Sequence, residues 1–193
     1  MNGAPRRDDL PEGDDDRMIV NRILAGERDL FRFLINRHQQ PVYAMGLSFF
    51  RNSEDAADFV QDVFLKTFRN LSSFEGRSRF STWLYKIAYN TAVNGISRRR
   101  EYRTLVEEDQ VQDRETPERQ ALRSVIRTAI SGAVKELPER YRVCVDLFFF
   151  YDRSYQEIEV ITGYPVNTIK SHVFRAKKLL REELEDYIEG GVG

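Results

Sequence analysis

The sequence predicts an all-α protein of two small helical domains joined by a flexible linker, the second ending in a helix-turn-helix. Three observations predict it. Apolar residues recur at three- and four-residue spacing through most of the chain, with no strand-like alternation of useful length. Residues 101–118 carry charge but no apolar stripe, and Pro117 interrupts them. Near the C-terminus, Ser154–Leu180 reads as a short helix, a glycine-bearing turn and a second helix.

In chain order, residues 1–16 offer little to bury and form a disordered acidic tail. Helical spacing begins near Met18 with Ile19, Ile23 and Leu24, then Leu30, Phe31, Leu34 and Ile35. Pro41 is expected to open a new helix carrying Val42, Met45 and Leu47. Ser53 is the expected cap of the next, with Glu54 and Asp55 where the helix dipole favours negative charge. That helix buries Ala56, Val60, Val63, Phe64 and Thr67. A polar loop, 71–80, leads to a helix over Ser81–Ser97 with the seam Leu84, Ile87, Ala88 and Thr91. The domains are thus expected at 17–100 and 121–188, with an acidic linker over 101–120 and a tail over 189–193. The second breaks at Leu137–Pro138 and restarts with Pro138 in a first turn.

In the helix-turn-helix, Tyr155, Ile158 and Ile161 face inward, and Gly163 supplies the turn. Asn167 is expected to cap the second helix, whose seam is Ile169, Val173, Ala176, Leu180 and Leu184. Opposite that seam lie Ser171, Phe174, Arg175 and Lys178, with Lys170 and Lys177 at the flanks, and no acid occurs between Glu159 and Glu182. An acid-free second helix that is basic outward suits the major groove of DNA, although an ordinary helical hairpin with a solvated basic face would read alike.

Composition narrows the class. The net charge of −1 conceals two acid-poor windows, the one above and Gly76–Arg100 with Arg77, Arg79, Lys86 and Arg98–Arg100. Cys144 is the only cysteine and sits in an apolar run, which points to a buried structural thiol in a reducing cytoplasm. Two histidines, His38 and His172, cannot build a His/Cys metal cluster with it, and no phosphate-binding glycine loop or nucleophile elbow occurs. An enzyme, a cofactor, a metal and a small-molecule substrate are therefore not expected.

Two further surfaces stand out. On the helix after Ser81, Trp83, Lys86, Asn90, Asn94 and Ser97 share the side away from the seam. Trp83 alone could simply pack on a neighbour, but the loop from Phe74 to Phe80 interleaves aromatics with Arg77 and Arg79, as single-stranded DNA binding requires. On the preceding helix Asp58, Gln61, Asp62 and Leu65 form a compact patch outside the seam, which by residue type alone is a solvated acidic face.

With these residues in hand, residues 18–188 resemble the extracytoplasmic-function (ECF) group of bacterial sigma factors. The resemblance rests on phrases in order: Ala25-Gly26 before Phe31, Asp55–Phe64, Phe80–Ala88, Leu137–Arg140 and the helix-turn-helix. It implies domains σ2 and σ4, and a transcription initiation factor that binds core RNA polymerase, directs it to promoters and assists melting. By motif position, Asp58, Gln61, Asp62 and Leu65 would meet the β′ clamp helices. Phe74, Arg77, Arg79, Phe80, Trp83, Lys86, Asn90 and Asn94 would take the −10 element, and Thr168, Lys170, Ser171, Phe174, Arg175 and Lys178 the −35 element. The resemblance also implies contact with the β flap and an anti-sigma factor. Phe148-Phe149-Phe150 departs from the family, which often carries an arginine there, and His172 occupies a position commonly basic. A repressor owning the same helix-turn-helix would leave the Phe74–Ser97 surface unexplained.

Overall fold

The computed structural model describes residues 16–102, 130, 132–134 and 136–190, and these hold helices and turns with no strand. The expected tail over 1–15, most of the 101–120 linker, the start of the second domain near Ala121 and the last three residues lie outside them. The chain divides into two compact units, one within Met1–Asp109 and one within Gln110–Gly193.

In the first unit, α1 (Asp16–Leu24) buries Ile19, Val20 and Ile23. It begins two residues earlier than the spacing predicts, because Asp16, assigned to the tail, is tied to α2. Its carboxylate meets the His38 ring at 2.8 Å and accepts from Arg37. After a turn at Gly26 (φ 116°) and a 3-10 turn over Arg28–Leu30, α2 runs unbroken from Phe31 to Phe50.

Pro41 therefore sits inside α2 and does not begin a helix. An interior proline costs about 3 kcal/mol, since it lacks the N–H for the carbonyl four residues back. The cost is offset because Leu34, His38, Val42, Met45 and Phe49 are buried along one continuous face on both sides of it. A break at Pro41 would put the two halves of that face out of phase.

Helix α3 (Ser53–Arg69) is capped by Asn52 and not by Ser53: the Asn52 side chain accepts from the N–H groups of Glu54 and Asp55. Phe59, and not Val60, completes its buried set with Ala56, Val63, Phe64 and Thr67. Where α2 and α3 approach, a Cβ on Gly46 would lie 2.8 Å from the Phe59 ring and 3.1 Å from the Ala56 Cα, so only glycine fits. Helix α4 (Phe80–Tyr102) starts one residue before the expected position and runs past Ser97. Leu84, Tyr85, Ala88, Tyr89, Thr91 and Ala92 are buried, while Ile87 is only partly so. Helices α2, α3 and α4 pack pairwise, and α1 lies on α2.

The second unit comprises α5 (Glu139–Val145), a π-helical turn over Asp146–Phe150, α6 (Tyr155–Thr162) and α7 (Val166–Gly190). Pro138 is the residue before α5 and not within its first turn. Leu137, Tyr141, Val145 and Ala176 form a core cluster with Leu180 against it, which fastens α7 to α5. Ser154 opens α6 with a capping box, exchanging hydrogen bonds with Glu157. Gly163 closes it at φ 77°, the left-handed conformation that the turn demands.

Candidate functional site

Three exposed faces, two on the first unit and one on the second, carry the residues singled out by the sequence. The first lies on α3. Asp58, Gln61, Asp62 and Leu65 are all exposed, on the side away from the buried Ala56–Thr67 seam. Leu65 is 54% exposed, and beside it Phe68, not foreseen, is 40% exposed. The face is thus acidic at one end and apolar at the other, suited to a partner offering both cations and a greasy contact. The signal for Phe68 was its spacing, three residues after Leu65.

The second face combines the loop before α4 with the outer side of that helix. Lys86, Asn90 and Asn94 are exposed, as are Arg77 and Arg79. Arg77 pairs with Glu75 at 2.6 Å while staying largely in solvent. The aromatics behave differently from expectation. Phe80 is 2% exposed and Phe74 9%, so neither presents a ring face on which a base could stack. Both are drawn inward because each ring finds partners: Phe74 meets Phe80 at 5.6 Å edge-on, and Phe80 meets the His38 ring at 5.5 Å. Trp83 stays half-buried, 5.4 Å from Phe74 and 5.8 Å from Phe80. It does pack, but on the loop's own aromatics and with part of its surface in solvent.

A residue invisible to sequence reasoning also belongs here. Gly76 adopts φ 70°, and a Cβ on it would fall 2.8 Å from the Arg17 guanidinium. Arg17 of α1 therefore lies against the loop, adding positive charge from a distant part of the chain. From α3, Lys66 donates to Thr91 of α4 at 3.2 Å.

The third face is the outer side of α7. Lys170, Ser171, Phe174, Arg175 and Lys178 are exposed, Phe174 at 71%, while Thr168 is half-buried. Beneath them Ile169, Val173 and Ala176 are buried, with Leu180 and Leu184 partly so. Asn167 is not the cap, because α7 already starts at Val166. The Glu159 carboxylate does that work from α6, accepting the Val166 N–H at 3.2 Å. Lys178 pairs with Glu182 at 3.7 Å, and Arg175 donates to the Tyr141 hydroxyl at 3.5 Å.

His172 is not a phosphate-facing cation. It is buried between the Tyr141 ring at 5.1 Å and the Tyr164 ring at 5.5 Å, with Nδ1 3.7 Å from the Cys144 sulfur. Burial lowers its pKa, and the neighbouring Arg140 and Arg175 lower it further, so the ring is neutral near pH 7. The Tyr141 phenol is shifted down by the hydrogen bond from Arg175, with Arg140 also lowering it. Cys144 is fully buried and its thiol is pushed up to about 12, an inert structural group. Among the described residues, no group of His, Cys, Asp and Glu could hold a metal ion, and no helix is long and apolar enough to cross a membrane.

Comparison with known proteins converges on one family. Residues 34–102 match Sigma-70 region 2, and residues 127–180 match Sigma-70, region 4. The RNA polymerase sigma-H factor of Pseudomonas aeruginosa is 32% identical over 88% of this chain and 94% of its own. The ECF RNA polymerase sigma-E factor of Escherichia coli is 33% identical over 90% and 96%. Among solved structures, the sigma factor RpoE of Bartonella quintana, in complex with the anti-sigma factor NepR, aligns with TM-score 0.68 and 24% identity over 80% of this chain and 96% of that one. CnrH, in complex with the cytosolic domain of CnrY, aligns at 0.66 and 23% over 89% and 98%. Two helical units with a surface-exposed helix-turn-helix, matched in order to both sigma-70 regions, make this chain a member of the extracytoplasmic-function group of the sigma-70 family.

Proposed function

We propose that this sigma factor, a transcription initiation factor directing RNA polymerase to promoters, divides that work among its three faces. The Asp58–Leu65 face of α3, extended by Phe68, binds core polymerase at the β′ clamp helices. The loop of Arg77 and Arg79 with the outer side of α4 takes the −10 element as single strand and so assists melting. The outer face of α7 reads the −35 element as duplex, while the β flap of the polymerase engages the same unit. The protein acts in the cytoplasm, where the polymerase is, needs no catalytic residue of its own, and is held in check by an anti-sigma factor.

One observation supports the reading most strongly. The side chains of α7 divide into a buried seam and an exposed face that is cationic and free of acid from Lys170 to Lys178, set on a capped helix-turn-helix. A helix so divided can enter a major groove without exposing its apolar side.

The test is transcription in vitro by purified core polymerase with this protein added. Promoter-directed initiation that appears only with the protein supports the reading; a protein that binds duplex DNA but never associates with core is a repressor. Replacing Asp58 and Asp62 with lysine should then weaken the core complex. Reversing Arg79 to Glu, or changing Asn90 to Ala, should impair strand opening, read by permanganate reactivity, more than initial duplex binding.

A further inference from the structure

The Phe148-Phe149-Phe150 run lies outside the three faces described above, and the geometry around it is continuous. The Phe148 ring stacks on Tyr155 of α6, with centroids 4.8 Å apart and planes 9° from parallel. Phe149 meets Phe148 edge-on at 4.9 Å. At the two ends stand lysines of α7: the Lys170 ammonium lies 5.9 Å from the Tyr155 centroid, and that of Lys177 lies 5.0 Å from the Phe149 centroid. Lysine, ring, ring, ring, lysine thus form one chain along the side of the helix-turn-helix.

The two lysines are related by helix geometry. Seven residues apart, they fall within about 20° of each other around α7 and about 10.5 Å apart along it. They mark one edge of the exposed face that also carries Phe174 and Lys178. Lys178 has a carboxylate partner in Glu182, whereas Lys170 and Lys177 make no ion pair with a described residue. Their charge is therefore oriented by aromatic faces and not neutralised.

We propose that Phe148, Phe149 and Tyr155 form a strut that positions Lys170 and Lys177 as two DNA-phosphate contacts, which adds Lys177 to the duplex-binding residues of α7. This rests on the reading of α7 as the duplex-contacting helix. A lysine free in solvent loses rotamer freedom when it grips a phosphate; one already held over a ring loses less. The ring quadrupole attracts the ammonium without cancelling its charge. Along one DNA strand the charges repeat every 3.4 Å of axis, so lysines about 10.5 Å apart engage separate phosphates. The same π-helical turn sets the strut: Tyr151 N–H returns to Asp146 O at 3.1 Å, five residues back, which brings Phe148 and Phe149 out beside α6 and α7.

The test is binding of the full-length protein to a fluorescein-labelled duplex of mixed sequence, titrated from about 50 to 200 mM salt. Lys170→Ala and Lys177→Ala should each flatten the dependence of log K on log salt by about 0.9. Tyr155→Leu and Phe149→Leu should weaken binding by about two- to tenfold, the cost of ordering one lysine side chain expressed as affinity. Tyr155→Leu combined with Lys170→Ala should bind no more weakly than Lys170→Ala alone, and Tyr155→Phe, which keeps the ring, should bind as wild type. A wild-type salt slope in Lys177→Ala, or additive losses in the Tyr155–Lys170 pair, would overturn the inference. A double reversal of Arg175 and Lys178 to glutamate identifies the failing link. Loss of binding there beside a neutral Lys177→Ala sinks the strut alone; undiminished binding sinks the reading of α7, and the strut with it.

Discussion

Phe80 offers the sharpest test of how the first unit carries the surface proposed to take single-stranded DNA. The ring is 2% exposed and touches Phe74, Trp83 and His38, so it lies under the surface and not on it. Phe80→Ala empties that site. Truncating a buried phenylalanine costs about 3–5 kcal/mol, a large part of the roughly 5–15 kcal/mol that holds a domain together. With a urea dependence of about 2 kcal/mol per molar, the unfolding midpoint should fall by about 1.5–2.5 M. Trp83 is the only tryptophan and rests on the same ring, so its emission reports the event directly. It should shift to the red in the folded variant as water reaches the indole.

Phe80→Leu separates the two roles the ring could have. Leucine refills most of the volume, so stability should fall by about 1.5 kcal/mol or less, and single-strand capture should persist. A buried, supporting role for Phe80 is refuted if Phe80→Ala leaves both the midpoint and the Trp83 emission unmoved. That role is also refuted if Phe80→Leu is stable yet loses strand capture, for then the ring itself would be stacking on a base.

Further expectations can be checked on the second unit. Gly163→Ala should cost about 1–2 kcal/mol by thermal unfolding, all of it conformational, since φ is 77° and a Cβ there would meet nothing within 4 Å. His172 makes this unit acid-sensitive. Its folded pKa lies below the unfolded value of 6.5, so the unfolded chain takes up the proton first, and stability present above pH 6.5 is lost as pH falls below it. The loss is limited to about 1.4 kcal/mol per pH unit, and His172→Leu should abolish that part of the profile in pH-dependent melting. Cys144, buried with its thiol at about 12, should resist a thiol reagent in the native protein and react at once in denaturant.

Much of this architecture was legible in the residues. Of the inward sets Tyr155, Ile158 and Ile161, then Ile169, Val173, Ala176, Leu180 and Leu184, all at helical spacing, Ile158, Ile161, Ile169, Val173 and Ala176 are buried, while Tyr155, Leu180 and Leu184 are only partly so. The Asp58–Leu65 patch and the cationic face of α7 are exposed where periodicity put them. Such faces are properties of a single helix: 100° per residue decides which side chains point together, and apolar content decides which side is covered. Gly163 was equally readable, because a left-handed residue is a local demand.

What escaped the sequence depended on partners far along the chain. Asn52 prevails over Ser53 as cap by one residue of backbone, a choice that composition does not rank. Pro41 reads as a helix start until α3 and α4 cover both halves of α2 and make one continuous seam worth more than the lost hydrogen bond. Phe74 and Phe80 look like stacking platforms beside arginines, yet each turns inward because His38 and Trp83 supply closer faces. Arg17 reaches the Phe74–Phe80 loop from α1, and Glu159 caps α7 across the turn. His172 lies on α7 between the basic face and the seam, and only Tyr141, Tyr164 and Cys144 closing over it decide that it is buried and neutral. Each helix's own residues dictate which of its sides is apolar; what lies against that side, and with it burial, pKa and capping, is set by neighbours that only folding brings within a few ångströms.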